Sequence, residues 1–228
     1  MTDFLTLNRS GIIASVAVGV LLLLFGGLSL GPFFLGVMLW FLFLSGAVTW
    51  IGKSRKKAIG VYQRYRNWKN VAANGIIPVL IVVLYHFSSA GQIMPVSFII
   101  VSYVASVAAI TADKFSSELG VLTGRPSELM TMRKVRQGTS GAVTVAGIAA
   151  GLLGSLFIGV TILAVLPILP QANYGILLVV VVIAGFVGNL VDSVFGHFEE
   201  RGIGNKFTTN FACSFAGWAA GLLLLLIL

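Results

Sequence analysis

Charge is scarce in this chain and cysteine almost absent. Only 10% of its 228 residues are charged against 57% hydrophobic, and the mean hydropathy is +1.00, which excludes an ordinary soluble globular domain. Acids are rarest, with seven Asp and Glu against fifteen Lys and Arg, for a formal charge of +8. Such a balance raises nucleic acid as a partner. The cations cluster in connections between apolar runs, however, where the positive-inside bias accounts for them, so no nucleic acid is read. Cys213 is the single cysteine, which rules out an intramolecular disulfide. No His/Cys cluster exists for zinc; His86 and His197 stand apart and read as bystanders. Also missing are a P-loop, a G-x-S-x-G elbow and an H-E-x-x-H pair, while Gly202-Ile-Gly204 is too short for a dinucleotide fingerprint. Any nucleotide is therefore bound without a P-loop.

What the chain has is long apolar runs. About 20 helical residues cross a bilayer, and seven segments reach that scale: 11–30, 32–51, 71–87, 95–112, 143–166, 174–194 and 207–228. Unbroken runs exclude the alternating ten-residue pattern of a β-barrel. The expectation is an all-α polytopic membrane protein of about seven transmembrane helices forming one domain over 1–228. The first run is too long for a signal peptide and no small-x-small site follows, so it reads as a first spanning helix. Runs one and two are separated only around Gly31, which predicts a tight hairpin.

Charge placement predicts orientation. The odd connections (29–32, 88–94, 167–173) hold no charged residue, whereas 53–69 holds seven basic residues and no acid. The N-terminus is thus expected in the cytoplasm and the C-terminus outside, with all polar chemistry on the cytoplasmic face of the cell membrane.

The stretch 111–144 is richest in chemistry, with three carboxylates, five basic residues and the turn Gly138-Thr-Ser-Gly141. It predicts a cytoplasmic site loop over 112–142 for a phosphate-bearing ligand. Asp113 ends the fourth run, with Ser117 one turn on, and Asp192 lies inside Gly-Asn-Leu-Val-Asp, where a carboxylate is costly and is paired, metal-bound or facing a cavity. Asn189, Asp192, Gly196 and Glu199 share one helical stripe. Two separate carboxylates without His or Cys suit Mg²⁺; a structural pairing with a lysine is the plainer alternative. Glu118 is placed either to meet Lys114 at i, i+4 or to act as a ligand. Lys134 and Arg136 precede small residues Gly138, Thr139, Ser140 and Gly141 and a helix start, an arrangement that favours phosphate. Thr139 or Ser140 as an N-cap, with the cations on lipid headgroups, is the plain reading. Asn67, Asn70 and Asn74 share a face of the third run; Lys206, Thr209 and Asn210 share one of the seventh. Either set hydrogen-bonds between helices or faces substrate. Gly147-x-x-x-Gly151 and Gly217-x-x-x-Gly221 read as packing contacts.

Four motifs in order carry a resemblance. Arg66-Asn-Trp-Lys-Asn-Val-Ala-Ala-Asn-Gly75, Ala112-Asp-Lys-Phe-Ser-Ser-Glu-Leu-Gly120, Lys134-Val-Arg-Gln-Gly-Thr-Ser-Gly-Ala-Val-Thr144 and Gly188-Asn-Leu-Val-Asp-Ser-Val-Phe-Gly196 resemble the integral-membrane family of plant phytyl-phosphate kinase and human transmembrane protein nineteen. Lys114-Phe115 departs slightly from its pattern. The resemblance implies transfer of the terminal phosphate of a nucleoside triphosphate, CTP favoured, to an isoprenyl monophosphate. It would set Mg²⁺ on Asp113 and Asp192, and phosphate on Lys134, Arg136 and the 138–141 turn. Lys206 would clamp the acceptor and Asn70 and Asn74 would line the site. The implied partners are the nucleotide, the isoprenyl phosphate and membrane lipid; self-association into a homo-oligomer stays open. A CTP-dependent lipid nucleotidyltransferase is the close alternative, and a small transporter the distant one.

Overall fold

The computed structural model describes residues 6–62, 65–91 and 94–228; Arg64 of the basic run and part of the 88–94 connection lie outside them. Among the described residues six helices are long and apolar enough to cross a membrane: α1 (Arg9–Trp50), α3 (Trp68–Gly91), α4 (Val96–Gly120), α5 (Val145–Gly159, prolonged by a 3-10 helix Val160–Val165), α6 (Tyr174–Glu199) and α7 (Lys206–Ile227). A short basic helix, α2 (Lys53–Ala58), follows α1, and a two-residue antiparallel ladder joins β1 (Ser127–Glu128) to β2 (Ala142–Val143). The molecule is an all-α polytopic membrane protein.

Straight, the 42 residues of α1 would reach roughly 63 Å, about twice a hydrocarbon core. They do not run straight. Gly27 takes φ 63°, ψ −168°, a conformation essentially confined to glycine, and the helix doubles back there. A Cβ on Gly19 would lie 3.3 Å from Leu35 Cδ1, a contact only antiparallel arms can make. The expected hairpin is present, but its turn falls at Gly27 rather than around Gly31. Gly31 instead lies against Gly26, where a side chain at Gly26 would come within 2.6 Å of the Gly31 Cα.

The centre of the bundle is α4, buried without interruption from Ile99 to Ala112. A helix apolar on all sides belongs inside others. Its alanines meet glycines of its neighbours: a Cβ on Gly217 would stand 2.6 Å from that of Ala109, and one on Gly221 2.9 Å from that of Ala105. Small-on-small contacts let these backbones approach, the usual mode of helix packing in lipid. Gly147 and Gly151 do the same for α5 against Ser116 and Ala112 of α4.

Two boundaries move the site. α4 continues to Gly120, so Asp113, Lys114, Ser117 and Glu118 sit on a rigid helix rather than in the expected 112–142 loop. α6 likewise runs to Glu199, beyond the expected end at 194.

Candidate functional site

At one end of the bundle a cavity of about 400 Å³ collects most of the predicted residues. The floor comes from α4 and α6, each of which ends here: Asp113, Lys114, Ser117 and Glu118 from the first, Asn189, Asp192 and Glu199 from the second. The starts of three other helices close it, with Asn70 and Asn74 from α3, Thr144 at the cap of α5, and Lys206 and Asn210 from α7. The Gly138-Thr139-Ser140-Gly141 turn forms a wall. Asn70, Asn74, Ser117, Glu118, Gly138, Thr139, Ser140, Gly141, Asn189, Lys206 and Asn210 therefore meet Asp113 and Asp192 in one space, although the sequence spreads them over 141 positions.

Asp192 is the least comfortable group. It is 4% exposed, its Oδ1 has no hydrogen-bond partner among the described residues, and its Oδ2 lies 3.4 Å from Lys206 Nζ. Asp113 is near enough to act on it directly. Asn210 adds a second buried oxygen, its Oδ1, with no partner among the described residues. Unpaired buried acceptors beside two carboxylates are the donor set a hard divalent cation takes, so the residues fit Mg²⁺. Among the described residues no group of three or more His, Cys, Asp or Glu is arranged to hold a metal. A cation here would rest on Asp113, Asp192 and amide oxygen, completed by ligand or water.

Glu118 fills a different role. Its Oε2 accepts from Lys56 Nζ at 2.6 Å, its Oε1 from Thr49 at 3.0 Å, Lys114 pairs with it as expected, and Arg66 lies 4.0 Å away. Lys56 is 1% exposed and also donates to the carbonyls of Val48 and Thr49 at 3.2 Å each. Glu118 is thus saturated, tying α1 and the basic segment to α4. Arg66 donates to Ser45 Oγ at 2.6 Å and Thr49 Oγ1 at 3.1 Å. Burial pulls its pKa down, while Glu118 and Asp113 push it back up. Lys56 has no signal in the sequence and Arg66 only its place at the head of the 66–75 motif, since a basic run gives no sign of which of its cations turns inward.

The turn is held by glycines and acids. Gly141 has φ 72°, and a Cβ there would stand 2.8 Å from the His197 amide nitrogen. Gly196, facing it on α6, would put a Cβ 2.6 Å from the Gly141 Cα. The two motif glycines exist for this backbone-to-backbone contact. Ser140 donates its N–H to Glu200 at 2.6 Å and its hydroxyl to Glu199 at 2.8 Å. The expectation that Ser140 offers a free amide to phosphate is corrected: its donors already serve carboxylates. The helix cap is neither Thr139 nor Ser140 but Thr144, whose Oγ1 accepts from Gly147 at 3.0 Å. Asn67 also leaves the predicted face, capping α3 by accepting from Lys69 at 3.1 Å.

Lys134 and Arg136 do not reach the cavity. Both are exposed and neither lines it. Lys134 sits on a bridge to Ser127, in a small hairpin closed by Glu128 N–H to Arg133 and Val135 N–H to Pro126. The same hairpin turns Glu128 inward, where it meets Thr131, His197 Nδ1 at 2.5 Å and Arg201 at 3.0 Å. Hydrogen bonds from Thr131, then Arg201 and His197, hold the Glu128 carboxyl down at about 2. His197 is therefore no bystander: it fastens the loop to α6.

Apolar helices of membrane length around a charged cavity at one end define an integral membrane protein. The chain belongs to the integral membrane protein family DUF92, whose profile matches residues 3–223. It is 34% identical over 222 residues to an uncharacterized membrane protein of Methanocaldococcus jannaschii, covering 96% of this chain and 85% of that one. Protein PGR of Arabidopsis thaliana is 30% identical over 178 residues, 70% of this chain and 62% of its own length. An uncharacterized membrane protein of a Synechocystis strain is 30% identical over 128 residues, 54% of this chain and 48% of that one. No solved structure matches.

Proposed function

We propose that the chain is a kinase that transfers the terminal phosphate of a nucleoside triphosphate, with CTP favoured, to an isoprenyl monophosphate. One observation carries the reading: two carboxylates, the half-buried Asp113 and the buried Asp192, share a cavity with Lys206, Lys114 and Arg66 beside the starts of three helices. The carboxylates suit a cation, whereas the basic groups and the helix N-termini suit phosphate oxygens. A nucleotide's phosphate chain with its divalent cation needs both. Mg²⁺ held by Asp113 and Asp192 would neutralise charge on the donor phosphates.

The rest falls to the protein's own groups. The acceptor is a phosphomonoester with a second pKa near 6, so at pH 7 it is largely dianionic and needs no general base. An acceptor phosphate oxygen forms the new bond to the donor's terminal phosphorus as the bond to the bridging oxygen breaks, leaving nucleoside diphosphate with that electron pair. Lys206 and Lys114 steady the charge of the transferred group, and Asn70 and Asn74 orient the acceptor. Positioning and charge account for most of such catalysis. The cations of the even connections support a cytoplasmic position for this face.

The test is purified protein in detergent with geranylgeranyl monophosphate, Mg²⁺ and each nucleoside triphosphate, with lipid products read by mass. Lipid diphosphate and released nucleoside diphosphate, both abolished by EDTA, are expected. A CDP-linked lipid with pyrophosphate makes the protein a nucleotidyltransferase instead. No product in folded protein overturns enzymatic transfer.

A further inference from the structure

The charged cavity does not stop at α3. Arg66, Asn70, Asn74 and Phe41 line it on one side and, on the other, line a second groove between the two arms of α1 and the first turns of α3. Beyond that junction the walls are almost wholly apolar, with Val18, Leu35, Met38 and Leu42 among them. Leu39 stands at the rim and is 54% exposed, so the groove opens toward the surrounding hydrocarbon. Two glycines hold the arms close while keeping side chains out of it. A Cβ on Gly75 would lie 3.0 Å from Val18 Cγ2, and one on Gly19 would lie 3.3 Å from Leu35 Cδ1.

The junction is polar and rigid. Arg66 is pinned by Ser45 and Thr49, and both asparagines sit on the same face of α3. A fixed guanidinium between an apolar groove and a charged cavity is a place for the anionic head of an amphiphile whose tail lies in the groove.

We infer that this groove is the tail subsite for the lipid acceptor. The hydrocarbon chain enters from the bilayer between the arms of α1 and α3, and its phosphate stops at Arg66, Asn70 and Asn74. This delivers the head group into the space that Asp113 and Asp192 line. The chemistry of the lipid rests on the proposed kinase reading; the position of the groove does not. The hairpin at Gly27 then has a purpose beyond crossing the membrane twice, because it builds two of the three walls.

The experiment uses the full chain in phosphatidylcholine nanodiscs and a farnesyl phosphate carrying a diazirine at the tail end. After irradiation, labelled peptides are mapped by mass spectrometry. Labels are expected on 15–42 and 71–75, displaced at least fivefold by excess farnesyl phosphate but not by farnesol. Gly19→Leu, and independently Leu39→Trp at the exposed rim, should each cut labelling about fivefold. Labels on other helices, no labelling, or equal displacement by farnesol overturns the subsite. Phosphoryl transfer measured in the same discs separates the two readings. Groove labelling without transfer keeps the subsite and removes the kinase, while transfer with labels elsewhere does the reverse.

Discussion

Replacing Asp192 by Asn should raise or preserve stability while nearly abolishing turnover, and the two effects come from the same geometry. The carboxylate is 4% exposed, Oδ1 has no partner among the described residues, and the half-buried Asp113 acts on it as a second negative charge. An unsatisfied buried acceptor costs about 1–3 kcal/mol. Among the described residues the compensating cation is Lys206 at 3.4 Å, whose side chain is 45% exposed. A half-exposed pair of this kind is worth at most about 1 kcal/mol. Asn removes the repulsion from Asp113 and keeps the shape, so the balance predicts a stability gain of zero to about 2 kcal/mol. In a chain of this size that is an increase in Tm of up to about 8 °C. Losing a group that stabilises transition-state charge costs about 10²- to 10³-fold in kcat. Thermal unfolding in micelles and turnover of geranylgeranyl phosphate, read on the same preparation, give both numbers. A variant that is less stable by more than about 1 kcal/mol yet turns over normally would falsify this, and Asp192 would be an ordinary structural partner of Lys206.

Other changes test the remaining corrections. Lys134→Ala and Arg136→Ala, on exposed residues outside the cavity, should each leave kcat within about twofold; a drop on the order of 100-fold in either would return it to the site. Gly27→Ala meets nothing within 4 Å of the added Cβ, so its cost is purely the positive φ, about 1–3 kcal/mol, visible as a lower Tm in micelles. An unchanged Tm would mean α1 does not reverse at Gly27. Glu128, held down to about 2 by Thr131, Arg201 and His197, should contribute stability that is complete above about pH 4.5, its unfolded range, and lost as pH falls toward 2. Glu128→Gln should flatten that acid limb; an identical pH profile for both proteins removes the loop clamp.

The apolar runs were enough to predict the helices, because a span of lipid demands them whatever the rest of the chain does. Helical spacing was also enough to align Asn189 with Asp192, Lys206 with Asn210, and Asn70 with Asn74, and each pair faces the cavity. What spacing cannot supply is the far partner. Lys56 and Glu118 meet across 62 positions, and nothing in Lys-Ser-Arg-Lys-Lys says that the second lysine of the three turns inward. Lys134 and Arg136 failed for a related reason. Their facing is set by a hairpin around Met132 at φ 57°, and a loop's charge is readable from sequence whereas its side is not. The turn residues were recognised as special, but the reason was misread. Gly138–Gly141 is short-sided at Gly141 to let it touch Gly196, and Ser140 spends its donors on Glu199 and Glu200.

The distribution of helix ends explains why this cavity can hold charges of both signs. α4 and α6 finish at it, and each carries its aspartate seven residues before its last one, Asp113 before Gly120 and Asp192 before Glu199. That sets both carboxylates two turns back from the helix ends, Asp192 buried and Asp113 half-buried, where a cation can bridge them. α3, α5 and α7 begin at it, their first turns capped by Asn67, Thr144 and Asn205, so the positive ends of their dipoles point toward the same space. A site for a cation alone would not need three helix starts, and a site for an anion alone would be spoiled by the two carboxylates. The combination is selective for an anion that arrives with a divalent cation. An antiparallel bundle gives this arrangement without extra segments, because alternate helices present opposite ends to the same face. The seven residues of α4 and α6 beyond each aspartate then carry Glu118 and Glu199, which bind the protein's own Lys56 and Ser140 and so fix the walls around Asp113 and Asp192.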